Sequence, residues 1–208
     1  MNLVFNLDEK ITSIEGFCLS SPYGDGNVYG QPKGVKSLGF IEVKSESGIS
    51  GFGETYSGIY SPELISPITK YLSHYIIGKK LNSLDFLDKL NKIPFIGYSG
   101  LIQSIISGIE LAVLDLIGKI EKKPVHELFH SFDNKEIQCY YSGGSVAFSE
   151  NEIEEDVLKM KALGFNAFKM RVGLQEWKKD IKRVSKAYEL LKTDKLMVDA
   201  IMGTLVSK

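Results

Sequence analysis

The sequence predicts an α+β domain over residues 1–133, built of an antiparallel sheet plus helices, followed over residues 134–208 by the first β/α units of a parallel barrel. Three observations predict this. Residues 11–20, 37–44 and 49–55 read as strands, and the turn Glu46-Ser47-Gly48 joins the last two into an antiparallel hairpin. Residues 101–120 are apolar on most sides, as in a helix buried between two layers. Beyond residue 136, short apolar runs alternate with stretches of helical period, the pattern of buried parallel strands joined by crossover helices.

Composition narrows the function classes. A net charge of −1 over 208 residues gives no reason to expect nucleic acid as a partner. Cys18 and Cys139 are far apart in apolar runs, which predicts two buried free thiols rather than a disulfide. The first residues lack the basic flank and apolar core of a secretion signal, and no apolar run approaches a membrane span. The expectation is a cytoplasmic protein with neither a nucleic acid nor a membrane as partner. Lysine dominates the cations, and the only arginines are Arg171 and Arg183.

The elements follow in order. Residues 21–32 are rich in Gly and Pro and form a long loop carrying Tyr23 and Tyr29. Pro62, after Ser61, suits a first helical position, and Leu64, Ile68, Leu72 and Tyr75-Ile76 keep helical spacing up to Gly78. Leu84, Leu87 and Leu90 mark a short helix ending before Pro94. Glu110 and Asp115 interrupt the long apolar helix, and Asp115 is expected to meet a backbone or basic partner. In the second part, residues 137–141 are a strand closed by Ser142-Gly143-Gly144. Ser149 and Glu152 form a capping box, Ile153, Val157 and Met160 a buried face, and Gly164 a helix stop. Residues 165–171 and 196–199 are the next strands. Between them Trp177, Ile181, Val184, Tyr188 and Leu191 make one stripe, which predicts that Trp177 lies in the core.

The two last strands end on charge: Lys169 and Arg171 on one, Asp199 on the other. In a β/α barrel such strand ends form the face where active sites are built, so two cations and a carboxylate would converge to bind an anion and a divalent metal. Solvated strand ends, and an Asp199 that caps the next helix, are the plainer alternatives. Lys169-Met170-Arg171 resembles the Lys-x-Lys motif of the enolase superfamily, in its mandelate racemase and muconate-lactonizing branch. Val198-Asp199-Ala200 resembles that family's strand bearing its first metal-binding carboxylate. Asp115 in Val113-Leu114-Asp115 and the run from Pro124 to Phe129 are similar to the stretches that lead into the barrel.

The resemblance implies a capping domain over the start of a TIM-type β/α barrel, truncated at about three of its eight strands. It implies Mg²⁺-assisted abstraction of a proton α to a carboxylate, above all dehydration of a sugar acid. Lys169 would neutralise the substrate carboxylate and Asp199 would be one Mg²⁺ ligand. Arg171 stands where a basic lysine is common, and a guanidinium stays protonated, so it would clamp rather than act as a base. Racemisation wants a base on each face, which favours dehydration. Tyr23, Tyr29, Tyr56 and Tyr60, in the loops that select substrate in this family, are candidate contacts or else ordinary surface aromatics. His74, His126 and His130 have no metal-like spacing. Because the family's other acidic ligands lie on later strands, weak or absent Mg²⁺ binding and no activity alone are expected. An uncovered sheet edge would favour a homo-oligomer or completion by another chain. The alternative is a truncated, catalytically inactive remnant that persists in such an assembly.

Overall fold

A computed structural model describes residues 5–22, 34–93, 100–129, 136–173 and 176–200. The chain divides into two compact units, residues 1–133 and 134–208. In the first, β1 (Ile11–Pro22), β2 (Val35–Ser45) and β3 (Ser50–Thr55) pair antiparallel in that order. Alternation sends Ile14, Ile41 and Val43 into the core and leaves Phe17 and Phe40 stacked on the opposite face, ring centroids 5.8 Å apart. Helices α1 (Ser57–Tyr60), α2 (Pro62–Ser73), α3 (Asp85–Leu90), α4 (Gly100–Glu121) and α5 (Val125–Phe129) follow.

Helix α4 lies across β2 and β3, burying Ile105, Ile109, Ala112 and Leu116. Contrary to the expectation that no apolar run approaches a membrane span, it is long and apolar enough to cross one, and half of that stretch is buried in this core. Its close approach depends on Gly53, where an added Cβ would sit 2.0 Å from the Gly108 carbonyl oxygen. Helix α3 buries Leu84, Leu87 and Leu90, as their spacing predicts.

Helix α2 starts at Pro62 and packs the expected Ile68, Leu72 and, past its end, Ile76 against the core, but its first turn buries Ile65 in place of Leu64. Ile65, Thr69 and Leu72 are buried, whereas Leu64 is exposed. The strand beneath decides this: at Gly16 a Cβ would meet Thr69 and Ile65 within 3 Å, so these two side chains fill the space that Gly16 leaves. The helix stops at Ser73, and turns carry the chain to Gly78.

The second unit contains β4 (Tyr141–Ser142), α6 (Glu150–Ala162), β5 (Ala167–Arg171), α7 (Trp177–Leu191) and β6 (Lys195–Asp199). The three strands are parallel, in the order β4-β5-β6. The capping box at Ser149 and Glu152 is complete, with the Ser149 N–H donating to Glu152 Oε2 at 2.8 Å and Ser149 Oγ accepting from the Glu152 N–H. Ile153, Val157 and Met160 are buried, and Gly164 follows the helix end at φ +81.

Two expectations fail here. Cys139 is exposed rather than buried, because β4 starts only at Tyr141 and residues 136–140 run outside the sheet. Both cysteines are free thiols. Trp177 is 62% exposed, and Ile181 and Tyr188 are exposed with it. Helix α7 buries Asp180, Arg183, Ala187 and Leu191 instead. Both stripes have helical spacing and share Leu191, and an ion pair in the second leaves the more apolar first one outside.

Candidate active site

Strand β5 sorts its side chains by alternation. Phe168 and Met170 are fully buried against Ile153, Val157 and Met160 of α6 and Ala187 and Leu191 of α7. Lys169 and Arg171 therefore point to the other face of the sheet. Parallel register sets Lys169 beside Met197 and Arg171 beside Asp199. Within this frame Lys169 Nζ donates to Asp199 Oδ2 at 3.0 Å, both side chains being part-buried. Arg171 is exposed, and among the described residues its side chain makes no ion pair. The three residues thus share one face and the C-terminal ends of two neighbouring strands.

Backbone hydrogen bonds stitch this end of the sheet together. Gly143 N–H donates to the Lys169 carbonyl at 3.0 Å, Arg171 N–H to the Gly144 carbonyl at 2.9 Å, and Val172 N–H to the Asp199 carbonyl at 2.9 Å. Three further residues hold the loops, and sequence reasoning gave none of them a role. Asp156 accepts the Gly144 N–H at 2.6 Å and the Tyr141 hydroxyl at 2.9 Å. Burial first, and then the Asp156 carboxylate, raise the Tyr141 phenol above its ordinary value. Asp180 accepts the Gly173 N–H at 2.8 Å and Arg183 Nη1 at 2.6 Å. The signal for the last pair was an arginine in a lysine-rich chain, three residues after an aspartate and in helical phase with Ala187 and Leu191.

The remaining candidates belong to the first unit. Tyr56 and Tyr60 are both more than half exposed and meet edge to face, centroids 5.6 Å apart, where β3 runs into α1. Tyr23 and Tyr29 lie outside the described residues, as does His130. Asp115 has the two partners expected of it, the Phe52 N–H at 2.8 Å and Lys119 Nζ at 2.7 Å, while Lys119 also reaches the Ser50 carbonyl at 2.9 Å. That pair covers the outer edge of β3.

Asp199 is the hard oxygen ligand that Mg²⁺ prefers. However, no group of three or more His, Cys, Asp or Glu side chains able to hold a metal occurs among the described residues, and an ammonium faces this carboxylate. The donor set fits Mg²⁺ only in part.

Comparison with known proteins gives the same architecture. Residues 32–129 match the N-terminal domain of the mandelate racemase / muconate lactonizing enzyme family. The chain is 28% identical over 164 residues to the arabinonate dehydratase of Saccharolobus solfataricus, an alignment covering 76% of this chain and 44% of that protein. It is 30% identical over 184 residues to the L-rhamnonate dehydratase of Saccharopolyspora erythraea, covering 83% and 44%. Among solved structures, the L-talarate/galactarate dehydratase of Salmonella typhimurium LT2, liganded with Mg and L-lyxarohydroxamate, superposes with a TM-score of 0.78. That match is 24% identical and covers 92% of this chain and 52% of the other. The chain therefore spans about half the length of the relatives it matches. Its resemblance is to the mandelate racemase / muconate lactonizing branch of the enolase superfamily, over the N-terminal domain and the first strands of the barrel.

Proposed function

We propose that this chain carries the first part of a sugar-acid dehydratase site. Lys169 neutralises the carboxylate of the substrate, and Arg171 forks onto a carboxylate or hydroxyl oxygen beside it. Asp199 supplies one oxygen ligand to a Mg²⁺ ion that further acidic residues complete. Magnesium, when bound, would draw off the charge that develops on the substrate carboxylate as its α-proton leaves. Loss of that proton from C2 and of hydroxide from C3 gives an enol, which becomes a 2-keto-3-deoxy acid. Neither cation serves as the base in this reading. Tyr56 and Tyr60, with Tyr23 and Tyr29, are its candidate substrate contacts, and a cytoplasmic setting with a second copy or a completing chain belongs to it.

The observation that carries the reading is the 3.0 Å contact between Lys169 and Asp199, with Arg171 in register on the same face. Incubating a panel of sugar acids and Mg²⁺ with the protein, and assaying 2-keto-3-deoxy acid, tests it. Lys169→Met and Asp199→Asn should each lower turnover by roughly 100-fold or more. Dehydration of no acid in the panel, or full activity in both variants, would contradict it. A second reading, an inactive remnant that persists by association, draws on the exposed Trp177, Ile181, Tyr188 and Val198. It predicts oligomers without turnover.

A further inference from the structure

The charged face of the second unit is held from behind by two aspartates that work alike. Asp156 on α6 binds the Gly144 N–H, and Asp180 in the first turn of α7 binds the Gly173 N–H, at 2.6 and 2.8 Å. Each glycine adjoins the site. The Gly144 carbonyl accepts from Arg171 N–H, and Gly173 follows Val172, whose N–H goes to the Asp199 carbonyl. The clamps differ in their second partner. Asp156 takes the Tyr141 hydroxyl, a neutral group on its own side of the loop. Asp180 takes Arg183, which then reaches across: its Nη2 donates to the Ser145 carbonyl at 2.5 Å, in the loop after the neighbouring strand.

Arg183 is only 2% exposed, and its Nε has no hydrogen-bond partner among the described residues. A buried guanidinium with one donor unmet is a poor way to gain stability, because desolvation offsets most of what its ion pair returns and apolar side chains of similar volume often do as well. What an apolar residue could not do is grip a carboxylate and a distant carbonyl at once, as a planar fork can. We propose that Arg183, oriented by Asp180, is a positioning residue that locks the loop after β4 to the loop after β5 and so keeps Lys169 against Asp199. This rests on the reading of Lys169, Arg171 and Asp199 as the site.

The test uses the isotopically labelled 208-residue chain and two readouts by nuclear magnetic resonance: the hydrogen-bond coupling between Lys169 Nζ and the Asp199 carboxylate carbon, and the exchange rate of the Gly173 amide. Arg183→Lys keeps the charge beside Asp180 but lacks the fork. Leu191→Ala is the control, removing packing from the same helix without touching a polar group. Well below its melting temperature, folded Arg183→Lys should lose the coupling, and its Gly173 amide should exchange about tenfold faster or more. The control should keep both signatures despite its lower stability. Survival of the coupling in Arg183→Lys, or its equal loss in the control, would overturn the proposal. Should Arg183→Lys fail to fold, Asp180→Asn carries the same expectation. Should that also fail, the unaltered chain decides: a Gly173 amide exchanging as fast as the open turn at Gly48 contradicts the brace, and one protected like the β5 amides supports it. Neither readout needs substrate, so absence of dehydration would defeat the functional reading and leave this one standing.

Discussion

The outer strand of each unit's sheet has different surroundings. In the first, β3 has its outer edge covered by Asp115 and Lys119 of α4, which take up the Phe52 N–H and the Ser50 carbonyl. Behind that edge lies a broad apolar core running from Ile11 through Ile117. In the second, β6 is the outer strand among the described residues, with Val198 56% exposed, and the buried apolar set is small, centred on Phe168 and Met170. Polar clamps and an ion pair do there what apolar volume does in the first unit. The first unit is ordered by packing, and the second holds a charged face in register with polar contacts.

Substitutions can break this contrast. Phe168→Ala should cost the second unit about 4 kcal/mol, because its ring is fully buried among Ile153, Val157, Met160 and Leu191. Denaturant unfolding followed through a probe in that unit would show the loss, and a cost below 1 kcal/mol would mean the core is not centred there. In the first unit, Gly53→Ala should cost about 3 kcal/mol by driving a methyl group into the α4 backbone. An unchanged unfolding midpoint would contradict the close approach.

Asp115→Ala should cost about 1–2 kcal/mol and, by uncovering the β3 edge, give concentration-dependent association in sedimentation experiments. A variant that stays monomeric would show the edge needs no cover. The smallest effect is at the start of α6, where Ser149→Ala should cost about 1 kcal/mol. The Ser149 N–H bonded to Glu152 holds that carboxyl below its usual range. A depressed value in the folded state adds stability above the unfolded value, and this is lost as pH falls through the folded one. Thermal melts between neutral pH and about pH 3 should therefore be less acid-sensitive in Glu152→Gln.

What the sequence made legible was local. The strand alternation of 37–44, the capping box at Ser149 and Glu152, and the charges closing β5 and β6 follow from periods and caps, and they stand where expected. The inward residue of the first turn of α2 and the buried face of α7 did not follow, since each lies beside a second stripe of valid spacing. Gly16 on a neighbouring strand selects Ile65, and the Asp180–Arg183 pair displaces Trp177. Asp156 and Asp180 were invisible as clamps because their partners are backbone N–H groups, which no residue pattern records.

Titrating a panel of sugar acids with Mg²⁺ into the labelled chain, with every backbone and lysine resonance followed, probes Lys169, Arg171 and Asp199 without any need for turnover. At least one of these acids should shift the resonances of Lys169, Arg171, Asp199 and their ladder neighbours, and should leave them unmoved in Lys169→Met. No shift at these residues with any acid, or an unaltered response in that variant, would mean that they form no common site.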